Sequence, residues 1–202
     1  MSKTISLLSA LLCTFIWGTT FIAQDTGMDD IGPFTFNAVR FFVGFLAILP
    51  LVFLFEVKKY SLEFKKDNRL FSRLTIIIGF SLFFGSALQQ VALLYTDVAN
   101  AAFFTIFYVL LVPIIVFLFR KKKIHWSFWL LVCFFLLGGY LLTNFFDATV
   151  RLGDSLVILG ALFWSFHIIY TDIFIKKFNL PLTLGAAQTL IVAILSFIVG
   201  AV

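Results

Sequence analysis

Gly153–Asp172 reads GDSLVILGALFWSFHIIYTD, twenty residues that are almost all apolar. At about 1.5 Å of rise per residue, a helix of this length crosses a hydrocarbon core of about 30 Å. Near its middle stands Trp164, and 147 residues earlier Trp17 stands in a similar run, LLCTFIWGTTFIAQ (Leu11–Gln24). Beyond each Trp come an Asp (Asp172, Asp25) and a Pro-x-Thr that opens the next run: Pro181 and Thr183, Pro33 and Thr35. The second half therefore starts the first half again, and Val202 falls inside the run that follows. Internal recurrence of short, charge-poor spans is a pattern of small-molecule carriers.

Seven runs can carry spanning helices: Ile5–Ala23, Phe34–Phe55, Leu74–Leu94, Ala99–Phe119, Trp126–Phe145, Ser155–Phe174 and Leu182–Val202. Apolar residues make up 62 % of the chain and charged ones 12 %. Soluble domains run nearer 45–50 % and about 25 %. Period-2 alternation is absent, and lipid offers no backbone partners, so the spans must be helical. The expected fold is an all-α membrane protein, a multi-pass helical bundle. Lys3 is followed by about 19 apolar residues with no small-residue cleavage site, which reads as an uncleaved first span. Cys13 and Cys133 fall inside apolar runs, away from any ligand spacing, and read as small buried hydrophobes.

Charge sets the orientation. One set of connecting segments holds Lys3; Lys58, Lys59, Lys65, Lys66, Arg69 and Arg73; Arg120, Lys121, Lys122 and Lys123; Lys176 and Lys177. The other set holds Arg151 alone, with Asp25, Asp29, Asp30, Asp97, Asp147 and Asp154, while Arg40 lies inside span two. Basic loops stay inside, so the N-terminus is expected in the cytoplasm and the chain in the cell (inner or plasma) membrane. The net charge of +5 is spread over these short clusters, which speaks against a nucleic-acid partner. Five spans separate Trp17 from Trp164, so the two copies are expected to be inverted: residues 1–146 as a first repeat and 153–202 as the start of a second. Two equal copies would hold ten spans, of which seven are present here. The longest loop, Glu56 to Arg73, is expected to form a surface helix.

The same residues resemble a known family. Leu11–Gln24 is similar to the first-span Trp-Gly motif of EamA-type proteins of the drug/metabolite transporter superfamily, and Phe36–Gly44, with Arg40 in N-x-x-R-F-x-x-G, to their second span. ALQQVALLYTDVANAAFFTIFYVLLVP (Ala87–Pro113) resembles the hairpin of spans three and four. GGYLLT (Gly138–Thr143) and Gly153–Asp172 resemble the end of one repeat and the start of the next. The resemblance implies two five-helix repeats around a central cavity and secondary transport, often export, of amino acids, metabolites or drugs.

Candidate site residues follow from helical spacing. Gly160, Trp164, His167 and Thr171 share one face of span six; Cys13, Trp17, Thr20 and Gln24 share one face of span one. Trp rings can cover a substrate's apolar part or attract an ammonium group, and His167 can donate, accept or titrate. Helix packing around Gly160 and Gly18 is the competing account of both stripes. In span three Gln89 shares a face with Ser81 and Gly85, as cavity lining or as interhelical glue. Arg40 can snorkel, pair with an Asp, or clamp a carboxylate. In span four Thr105 and Tyr108 share a face, and Pro113 leaves the Val109 carbonyl without its usual donor, a hinge or a fixed bend.

The leading expectation is a secondary carrier of small metabolites working by alternating access. Its binding candidates are Trp17, Thr20, Arg40, Gln89, Tyr108, Trp164 and His167, and its partners are the bilayer and a small-molecule substrate. A homodimer is compatible with the pattern. No cofactor or metal is implied, since there is no phosphate-binding loop and no metal-ligand spacing. Two alternatives stay open: a truncated or non-transporting membrane subunit, and an intramembrane enzyme, for which His167 has no carboxylate nearby in sequence.

Overall fold

The computed structural model describes residues 3–121, 123–143 and 151–201. Among these, the chain folds into α1 (Lys3–Thr26), α2 (Pro33–Phe55), α3 (Val57–Lys66), α4 (Asn68–Ala92), α5 (Val98–Thr105), α6 (Tyr108–Arg120), α7 (Ser127–Thr143), α8 (Leu152–Phe178) and α9 (Pro181–Gly200). Six helices are long and apolar enough to span a membrane: α1, α2, α4, the α5–α6 pair, α8 and α9. The expected fifth run lies in the shorter apolar helix α7, and its predicted end at Phe145 falls outside the described residues. The all-α multi-pass fold is as the composition predicts.

The spans alternate in direction, giving a basic end (Glu56–Arg73, Lys121, Lys123, Lys176, Lys177) and an acidic end (Asp25–Asp30, Asp97, Asp154). α4 and α8 run antiparallel in contact along their whole length. At the acidic end a Cβ on Gly153 would lie 2.6 Å from the Ala92 carbonyl oxygen, so only glycine allows this approach. At mid-depth Gly160 faces the Gly85 carbonyl. At the basic end Phe71 meets Phe174 and Phe178 edge-on, with centroids 5.1 and 5.2 Å apart. α2 and α9 form a second antiparallel pair, with Gly185 beside Ile48 and Gly200 beside Phe34 and Thr35.

α3 is the surface helix expected in the longest loop. Tyr60 and Phe64 pack on Phe71, and Lys59 Nζ donates to the Asn179 carbonyl at 2.8 Å. Just before α3, the buried Glu56 reaches the first turn of α9. Its Oε1 accepts from the Leu182 amide (3.1 Å), and its Oε2 from the Thr183 amide (2.7 Å) and Thr183 Oγ1 (2.8 Å). A carboxylate at a helix N-terminus satisfies free N–H groups and meets the positive end of the helix dipole.

One expectation is corrected. Cys13 and Cys133 are exposed, not buried. A thiol among lipid tails is as well matched to its surroundings as one in a protein core, so apolar context alone does not separate the two. Span four is interrupted at Ile106–Phe107, one turn before the carbonyl that Pro113 deprives, and α6 continues through Pro113. The interruption tightens the backbone, with Ile106 N bonding Phe103 O and Val109 N bonding Ile106 O. Thr105 Oγ1, just before the interruption, donates back to the Ala101 carbonyl at 2.7 Å.

Candidate functional site

Four of the predicted residues meet near the midpoints of their spans. Trp17 on α1 lies between Tyr108 on α6 (stacked rings, centroids 6.2 Å) and Trp164 on α8 (6.0 Å). Trp164 in turn meets His167 edge-on at 5.8 Å, as two residues three apart on one helical face must. The Trp164 ring lies against Gly85 of α4, where a Cβ would sit 3.2 Å from Nε1. That indole N–H is buried and has no hydrogen-bond partner among the described residues. Indole nitrogens in apolar surroundings usually find an acceptor, so this one offers a donor inside an aromatic wall.

His167 Nε2 and Gln188 Oε1 of α9 are 2.9 Å apart. An amide oxygen only accepts, so the pair needs the proton on Nε2. Gln188 was not foreseen as a site residue. One signal could have found it. The Pro-x-Thr motifs recur at a spacing of 148 residues, and the same spacing carries Arg40 onto Gln188.

Toward the acidic end lies a separate polar cluster. Gln89 Nε2 donates to Gln24 Oε1 (3.2 Å), Thr105 Oγ1 reaches Gln89 Oε1 (3.3 Å), and Gln90 Nε2 donates to the Gln24 carbonyl (3.2 Å). Gln24 Nε2 bonds the Thr20 carbonyl (3.1 Å), and Thr20 Oγ1 donates to the Trp17 carbonyl (2.7 Å). All three glutamines and Thr105 are buried. Through Gln24, Gln89, Gln90 and Thr105 the cluster joins α1, α4 and α5, while the bonds of Thr20 stay within α1.

Arg40 stands apart from both groups. Its Nη2 donates to Asn37 Oδ1 at 2.7 Å, and its guanidinium lies 4.9 Å from the Phe41 ring centre. Asn37 Nδ2 donates to the Ser86 carbonyl of α4 at 3.3 Å. Arg40 makes no ion pair with Asp25, Asp29 or Asp97; Asp97 Oδ2 instead takes Arg151 Nη1 at 2.6 Å. The first member of the span-one stripe, Cys13, is exposed and outside the site. Gly160 belongs to the α4–α8 seam, so the span-six stripe serves packing at Gly160 and the aromatic group at Trp164 and His167.

This is an aromatic wall with two polar handles near the middle of the spans, on a helical bundle whose spans alternate. The EamA-like transporter family matches residues 4–144. The chain belongs to that family. An uncharacterized transporter of Archaeoglobus fulgidus is 33 % identical to this EamA-like chain over 194 residues, covering 94 % of it and 56 % of the archaeal protein. An uncharacterized transporter of Buchnera aphidicola is 33 % identical over 127 residues, 61 % of this chain and 39 % of its own length. The uncharacterized transporter YoaV of Bacillus subtilis is 29 % identical over 73 residues, 36 % and 24 % of the two chains. The EamA-like chain thus spans little more than half the length of the archaeal relative, and less of the other two. No solved structure matches it.

Proposed function

We propose that this chain forms the substrate-binding part of a secondary carrier that moves small amphipathic metabolites out of the cell by alternating access. In this reading the basic end faces the cytoplasm at the cell membrane. Residues 1–146 form one repeat and residues 153–202 begin its inverted copy. The opposite directions of α1 and α8, and of α2 and α9, support that arrangement.

One observation carries the reading: Trp17, Tyr108, Trp164 and His167 converge at mid-span with a buried, unpartnered indole N–H. The rings would cover an apolar or cationic part of the solute, Trp164 Nε1 would donate to an acceptor on it, and the His167–Gln188 pair would orient a polar group. Arg40, held by Asn37 two hydrogen bonds from α4, would meet a carboxylate only by leaving Asn37.

The test begins with cells expressing the chain, whose medium is surveyed by mass spectrometry for exported amino acids and related metabolites. Any solute found is then followed in proteoliposomes. Trp164→Ala and His167→Ala are expected to cut its transport at least about tenfold while the protein stays folded, the loss expected for about 1.4 kcal/mol of binding. Unchanged transport in both variants would sink the site. The alternative is a membrane subunit that does not transport unaided. A stably inserted chain that moves no solute in the same assay would point there.

A further inference from the structure

The link from the end of α2 to the first turns of α4, Glu56 to Arg73, carries six cations and three acids. Each acid is already engaged. Glu56 caps α9, Glu63 Oε1 holds Lys66 Nζ at 2.7 Å, and Asp67 Oδ1 accepts from the Leu70 amide at 3.1 Å to cap α4. Two cations are engaged as well, Lys66 with Glu63 and Lys59 with the Asn179 carbonyl. The remaining four, Lys58, Lys65, Arg69 and Arg73, are exposed and make no ion pair or hydrogen bond among the described residues. Positive charge is thus left over in a segment whose own carboxylates are used up.

Its placement is specific. Lys58, Leu62 and Lys65 follow at i, i+4 and i+7 on the side of α3 turned away from Tyr60 and Phe64, and Leu62 is 63 % exposed. On α4, Arg69 and Arg73 begin a stripe that continues through Ile76, Phe80 and Phe84 at steps of three, four and four. Those three apolar side chains are exposed among the described residues on a helix apolar and long enough to span a membrane, as a stripe against acyl chains requires. Arg73 lies about 4.5 Å and Arg69 about 10 Å beyond Ile76 toward the basic end, at 1.5 Å per residue. With α4 crossing a hydrocarbon core of about 30 Å, that distance suits the headgroup region. Topology alone asks for cations at this end of the bundle. It does not ask that two arginines continue the lipid-facing stripe, nor that every nearby acid be occupied.

We propose that α3 and the first turns of α4 bind the headgroup phosphate of an anionic phospholipid. Arg69 and Arg73 grip the phosphate, Lys58 and Lys65 add attraction, and Leu62, Ile76 and Phe80 meet the acyl chains. A bound lipid would also steady the α8–α9 turn, because α3 holds that turn through Lys59.

Native mass spectrometry of the purified chain tests this, with phosphatidylglycerol and phosphatidylcholine offered in equal amounts. Phosphatidylglycerol is expected to be retained in clear excess. R69Q/R73Q should weaken that retention about 30-fold, which is about 1 kcal/mol for each basic residue near an anionic surface. Should that variant not fold, K58Q/K65Q and a high-salt wash of the wild-type chain decide, since both should release phosphatidylglycerol selectively. Equal retention of the two lipids by the wild-type chain would overturn the proposal. So would retention by R69Q/R73Q at the wild-type level, or displacement of the lipid by millimolar inorganic phosphate.

Discussion

Replacing Glu56 by Ala removes three hydrogen bonds that join the end of α2 to the first turn of α9, at 2.7, 2.8 and 3.1 Å. Hydrogen bonds to a charged group contribute about 1.5–3 kcal/mol each, and an acid at a helix N-terminus adds about 0.3–1 kcal/mol. Against this stands the cost of keeping a carboxylate dry, about several kcal/mol, which the Ala variant no longer bears. The expected net loss is about 3 kcal/mol for Glu56→Ala and about half that for Glu56→Gln, which keeps one acceptor but turns N–H groups toward backbone donors. Equilibrium unfolding by SDS in mixed micelles reads it, with Trp17, Trp126, Trp129 and Trp164 as fluorophores. A double-mutant cycle with Thr183→Val isolates the hydroxyl bond, where a coupling of about 1–1.5 kcal/mol is expected. Lys59→Ala, which removes an exposed contact, should cost about 0.5 kcal/mol or less. A Glu56→Ala variant within about 0.5 kcal/mol of wild type would refute the capping argument.

Other consequences are open to direct measurement. Gly153→Ala drives a Cβ into the Ala92 carbonyl and should cost about 1–3 kcal/mol in the same titration. Gly18→Ala meets nothing within 4 Å and should change stability by about 0.5 kcal/mol or less. Equal effects of the two would contradict the described seam. A cytoplasmic reporter fused after Lys123 should be active and one fused after Asp147 silent, and the reverse pattern would overturn the orientation.

Much of the architecture was legible because a membrane imposes its thickness on the chain. A run such as Pro33–Phe55 has one length and one secondary structure that satisfy lipid, and the spans follow. Helical period then put Trp164 beside His167 correctly, and the recurrence of Trp17 as Trp164 pointed to residues that do touch. The partners of isolated polar residues were not legible. Nothing local to Leu182–Val202 says that Gln188 meets His167, and nothing near Glu56 says that its acceptors face Thr183, 127 residues on. Such pairs are set by which helices lie side by side. Cys13 shows a further limit. Lipid and protein interior are equally apolar, so hydropathy marks a residue as out of water without saying which of the two surrounds it.

The α4–α8 seam has a mechanical meaning. It is fastened at three depths, at Gly153 against Ala92, at Gly160 and Trp164 against Gly85, and at Phe174 and Phe178 against Phe71. Two rods pinned at both ends and the middle bend and turn as a single beam. No path can open by parting them without losing close packing along their whole length. α1 is the contrast: among the described residues only its Phe21 and Gln24 are buried, and it is held through these and Trp17. In the proposed carrier, motion that exposes the aromatic wall would swing α1 away from that beam.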